Sequence, residues 1–130
     1  MDNKRLLQIA MAIAGLVPVL AGGLGALRPE RLHLGGPAHA LTHASYLSGL
    51  LLGLGLGFWS LIPTIERQTR AVSLLAGMVV LGGLARAVTA ARLGAWDYHV
   101  IVPLVMELGV TPALWAWQRQ VAGSFLSHPE

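Results

Sequence analysis

Apolar positions along the chain gather into four long blocks separated by short polar connections. The first runs from Leu6 to Leu27, interrupted only by Gln8 and Pro18, and the second, Ala44 to Ile62, carries no charge. The third runs from Ala71 to Ala91 and contains Arg86, and the fourth runs from His99 to Trp117 and contains Glu107. A bilayer core of about 30 Å needs roughly 20 apolar residues as helix. Each block meets that length, so each is predicted to be a transmembrane helix. The connections, Arg28 to His43, Pro63 to Arg70 and Arg92 to Tyr98, are short enough to join antiparallel neighbours. The expected fold is all-α, a four-transmembrane-helix bundle forming one domain over residues 1–130. The first block follows "MDNKR" and in that resembles a signal peptide, but its length exceeds the usual apolar core of one. It is read as a retained span, and the tail from Val121 to Glu130 as polar and frayed.

Composition agrees. Hydrophobic residues make up 55% of the 130 residues and charged residues 12%, about half the charged fraction of a soluble domain. The formal charge of +3 suits anionic lipid headgroups better than nucleic acid. There is no cysteine, which excludes disulfides, thiol nucleophiles, iron–sulfur clusters and cysteine-based zinc sites. Four spans put both termini on one side. That side holds Lys4, Arg5, Arg67, Arg70 and Arg119, against Arg28, Arg31 and Arg92 on the other. The bias favours cytoplasmic termini. Trp59, Trp115 and Trp117 then form an inner aromatic belt, and Tyr46, Trp96 and Tyr98 an outer one.

Small residues point to packing faces. Gly49, Gly53 and Gly57 recur at i, i+4, i+8 on the second span, and Gly82 and Gly83 lie side by side on the third. Such faces allow close helix approach, within one bundle or in contact with a second copy or a membrane partner.

The most informative residues are the two charges inside apolar blocks. Helices three and four form a tight hairpin, which leaves Arg86 and Glu107 offset by a few ångströms at a rise of about 1.5 Å per residue. An isolated charge at mid-membrane costs about 2.5–3.5 kcal/mol on insertion scales. Pairing with a bidentate carboxylate offsets much of it, so a buried Arg86–Glu107 pair facing the bundle interior is expected. Arg86 shares its helix face with Val79, Gly82, Gly83 and Ala90. Pro103 and Pro112 each remove a backbone donor around Glu107, and Gly109 softens the stretch between them, so the fourth span is expected to be irregular there, either broken at a ligand site or merely kinked around the pair. Tyr46, Pro103, Thr111 and Pro112 are the supporting positions.

His33, His39, His43 and His99 gather on the expected outer side, with Asp97 close to the last. His39 and His43 stand four apart, a spacing that aligns two imidazoles on a helix. They and His99 are the candidates for a divalent metal, and His43 with His99 for a haem, but no attachment motif accompanies them. The plainer reading is that they serve as interfacial caps or hydrogen-bond partners. No phosphate loop, nucleophile elbow, dinucleotide fingerprint or HExxH motif is present, so no catalytic residue and no resident cofactor is predicted.

The segments "THASYLSGLLLGLGLGFW", "IPTIER", "LGGLAR" and "MELGVTPALWAWQR" resemble a family of small bacterial four-helix membrane proteins known as a domain of unknown function. The resemblance spans Leu6 to Arg119. His43 and Tyr46 match its pattern, Arg86 the arginine after paired glycines, and Glu107 the carboxylate before the proline. Ser45 stands where the family usually has a basic residue. The resemblance implies a multi-pass protein of the bacterial inner membrane and no particular activity. A more distant similarity, of fold alone, is to the quinone-linked DoxX and DoxD type proteins.

Three functions are compatible with this reading. One is a non-enzymatic module binding a lipophilic ligand or partner subunit around Arg86 and Glu107. Another is a small oligomeric carrier or channel in which Glu107 takes up a proton or cation. The last is a redox component holding quinone or metal near the histidines.

Overall fold

A computed structural model describes residues 2–32 and 37–127, and within them every secondary-structure element is a helix. Four helical runs are long and apolar enough to cross a membrane: Asn3–Leu27, Ala38–Arg67, Thr69–Leu93 and Tyr98–Ser127. Each contains one of the apolar blocks. Large side chains along them, such as Leu20, Leu81 and Val105, are mostly open to the surroundings. In water so much bare hydrocarbon would be strongly unfavourable. The chain is a multi-pass membrane protein.

In chain order the elements are α1 (Asn3–Leu27), a single-turn α2 (Pro29–Leu32), α3 (Ala38–Leu61), a 3-10 segment (Ile62–Arg67), α4 (Thr69–Leu93), α5 (Tyr98–Val105), a π-turn (Met106–Val110) and α6 (Thr111–Ser127). Their ends follow local chemistry. Pro29 opens α2, where its missing N–H costs no hydrogen bond. Gly94 closes α4 at φ +65, a left-handed conformation that favours glycine, and its N–H reaches the Ala90 carbonyl. Asp97 caps α5, its Oδ1 accepting from the Val100 N–H at 3.2 Å. The last helix runs ten residues past Trp117 to Ser127, where a frayed tail was expected. The reason is a buried stripe at helical spacing that composition obscures. Gln118, Val121 and Ala122 are buried, and the Arg67 guanidinium lies 5.2 Å from the centre of the Phe125 ring.

By contacts the chain divides into two compact units, Ile9–Ile62 and Met1–Gln8 with Pro63–Glu130. In the first, α1 and α3 run antiparallel and are tied by two hydrogen bonds. The Ser45 hydroxyl donates to the Ala26 carbonyl at 2.7 Å, and the Trp59 indole N–H to the Ala12 carbonyl at 3.2 Å. These ties stand fourteen residues apart on both helices, about 21 Å along the axis. Between them Gly22 meets the backbone of Ser48 and Leu52, and Gly55 meets Pro18 and Val19. The contacting face of α3 is therefore Ser45, Ser48, Leu52, Gly55 and Trp59, a seven-residue repeat. The glycine face expected to pack is not this one. A Cβ at Gly49 or Gly53 meets open space, because each lies one residue on from the contacting face and is rotated by about 100°.

In the second unit, α4 lies antiparallel to the run Tyr98–Ser127. Leu7, Ile65, Val72 and Gln118 are fully enclosed there. Gln118 Nε2 donates to the Ile65 carbonyl at 2.8 Å and to Thr69 Oγ1 at 3.1 Å. The Trp115 indole donates to Ser73 Oγ at 2.8 Å, and that of Trp117 to Asn3 Oδ1 at 2.7 Å. Lys4 Nζ is 3.0 Å from the buried Glu66 carboxylate. Sequence reading missed this polar junction, because Glu66 sits in a short charged connection that looks solvent-facing.

Candidate functional site

Arg86 on α4 and Glu107 on the π-turn meet as a two-pronged pair. Nε donates to Oε2 and Nη2 to Oε1, both at 3.1 Å. Both helices contribute to that geometry. On α4, Gly83 stands one turn before Arg86, and a Cβ there would lie 2.8 Å from Glu107 Cβ and 2.9 Å from Leu108 Cδ2. Only a bare Cα lets the backbones come this close. On the facing helix, the chain is not broken at the prolines; it widens. The Thr111 N–H reaches the Met106 carbonyl five residues back, and its hydroxyl donates to the same oxygen at 2.9 Å. A proline in an α-helix clashes with the carbonyl four residues before it. The wider π-turn accommodates Pro112 without ending the helix. Pro103 lies inside α5, which also continues through it.

The close approach makes a test. Gly83→Ala is expected to cost about 1–3 kcal/mol of stability through overpacking, because the obstructing Glu107 Cβ is fixed to its backbone. Gly82→Ala, which meets open space, serves as the reference. Equal stability of the two variants in a denaturant titration of micellar protein would rule out the close contact.

Burial of the pair differs from expectation. The Glu107 side chain is 17% exposed, but that of Arg86 is 43% exposed. The cause is the row of small residues around the arginine. Arg86 lines an open groove of about 420 Å³ with Ala85, Thr89, Ala90, Leu93, Ala95 and Val100. Of the face expected to look inward, Gly83 and Ala90 are buried, while Gly82 is open.

The remaining candidates are spread between the two units. His39 and His43 occupy the first two turns of α3, both exposed, and Tyr46 follows them at 64% exposure. His99 belongs to the other unit, where its ring lies 3.8 Å from that of Tyr98. Among the described residues no group of three or more metal-ligating side chains occurs. His33 lies outside the described residues. Ser45 has a structural task in its bond to Ala26.

No curated protein and no solved structure matches the chain. One family model does, over residues 6–118, from the first span through the polar junction at Gln118. With nearly the whole chain matched, this protein belongs to the DUF4345 family, a domain of unknown function.

Proposed function

We propose that this is a non-enzymatic binding module of the bacterial cytoplasmic membrane, with both termini in the cytoplasm, that holds a lipophilic ligand or a partner subunit at Arg86 and Glu107. One observation carries the reading. The charged pair lies inside apolar helices, yet its guanidinium stays 43% exposed beside an open groove. A pair serving packing alone would be expected to close, because unshielded polar groups are costly in hydrocarbon.

The test is to purify the wild type and Arg86→Lys, which keeps a charge for Glu107, and to compare what copurifies by native mass spectrometry. A species enriched on the wild type and reduced on the variant is expected. Identical profiles from equally folded proteins would defeat the proposal. The π-turn at Glu107 lends support to the carrier reading, since such turns recur at functional sites. Its signature is proton flux in liposomes that disappears with Glu107→Gln. The open glycine face of α3 supports a second copy as one form the partner could take.

A further inference from the structure

We infer that the open edge of Arg86 receives a neutral hydrogen-bond acceptor, a carbonyl carried on an apolar molecule, and not an anion. This rests on the reading above that the pair and its groove form a ligand site.

A guanidinium has five N–H donors in a rigid plane. Nε and Nη2 each commit one to Glu107. Three remain, two of them on Nη1, and no other acceptor engages them among the described residues. In a membrane interior there is little water to satisfy them. They therefore ask for an acceptor from outside the chain.

Charge decides its kind. Arg86 and Glu107 together carry no net charge, so the pull of the guanidinium on an anion is partly cancelled by the carboxylate behind it. An anion on Nη1 would be held only by that reduced attraction, while taking it out of water costs several kcal/mol. A carbonyl oxygen accepts the same hydrogen bonds without that penalty. The lining fits an apolar body: Ala85, Ala90, Leu93, Ala95 and Val100 are hydrocarbon. Thr89, one turn on from Arg86, is the other polar side chain in the lining and supplies a second donor. The volume of about 420 Å³ lies within the usual range for small-molecule sites. The groove follows α4 from Arg86 to its end at Leu93 and on to Ala95, so a ligand can enter from the membrane surface. The shared chemistry is a neutral carbonyl, drawn from a lipid ester or from a free lipophile such as a quinone or long-chain ketone.

The full chain would be placed in nanodiscs of ether-linked phospholipid, which has no ester carbonyls. Binding of a long-chain methyl ketone, the matching carboxylate and the matching alkane would be followed by native mass spectrometry. The ketone is expected to bind about tenfold more tightly than either of the others, the worth of one charge-assisted hydrogen bond. Arg86→Lys should remove about that factor, since an ammonium paired with Glu107 has donors left but no rigid plane to hold them toward the groove. Thr89→Val should weaken binding severalfold. Competition by ester-linked nanodiscs identifies the lipid as the source, and its absence identifies a free lipophile. Carboxylate binding as tight as the ketone's would overturn the neutral-acceptor inference and leave a ligand site in place. Equal binding of all three probes, unchanged in Arg86→Lys, would remove the site altogether.

Discussion

Replacing Arg86 with alanine is expected to destabilise the protein by about 3–5 kcal/mol, the range for stranding one member of a shielded ion pair. Glu107→Ala should cost less. The two survivors differ in their freedom to escape: Glu107 is short and 17% exposed, whereas Arg86 is long and 43% exposed. A stranded arginine can swing its head toward the interface along the groove; a stranded carboxylate cannot. The double variant should be more stable than Arg86→Ala alone, because no uncompensated charge remains. The measurement is a double-mutant cycle on unfolding in mixed micelles. Additive losses would show that the pair contributes nothing as a pair, and a larger loss for Glu107→Ala would overturn the assigned order.

Gly22→Ala is expected to be the most damaging small substitution in the first unit. An added Cβ would lie 2.5 Å from the Leu52 nitrogen and 2.8 Å from the Ser48 carbonyl oxygen. Both are backbone atoms of a hydrogen-bonded helix and cannot move alone, so α1 and α3 must separate. Gly22 lies between the ties at Ala26 and Ala12, and separation would stretch both. A loss at or above the upper end of the usual overpacking range, about 3 kcal/mol, is expected. Gly23→Ala is the control: its Cβ meets nothing within 4 Å, and alanine is the better helix former by up to about 1 kcal/mol. If the neighbouring substitutions behave alike in thermal unfolding, the helices are not in contact at this point.

The glycines show how far a sequence reading reaches. The regular series Gly49, Gly53 and Gly57 looked like the packing face of α3, and Gly22 and Gly55 attracted no notice. A repeat of small residues says that close approach is possible, not which helix approaches or from which side. A rotation of one residue moves the contact onto Ser48, Leu52 and Gly55. The prolines around Glu107 likewise signalled an irregular helix. They did not say whether it would break or widen, which depended on Thr111 reaching back to Met106.

Hydropathy is a property of each residue in turn, so the sequence by itself determined four membrane-crossing helices, their approximate limits and the two charges that require a partner. That Arg86 and Glu107 face each other also followed, because a short hairpin constrains height. Rotation about the helix axes is different. It is set by the summed fit of many side chains on separate helices, and no stretch of sequence encodes it locally. Only the tertiary structure decided that Gly83 brings the pair together, that Glu66 and Gln118 are buried, and that small residues around Arg86 leave its outer edge open.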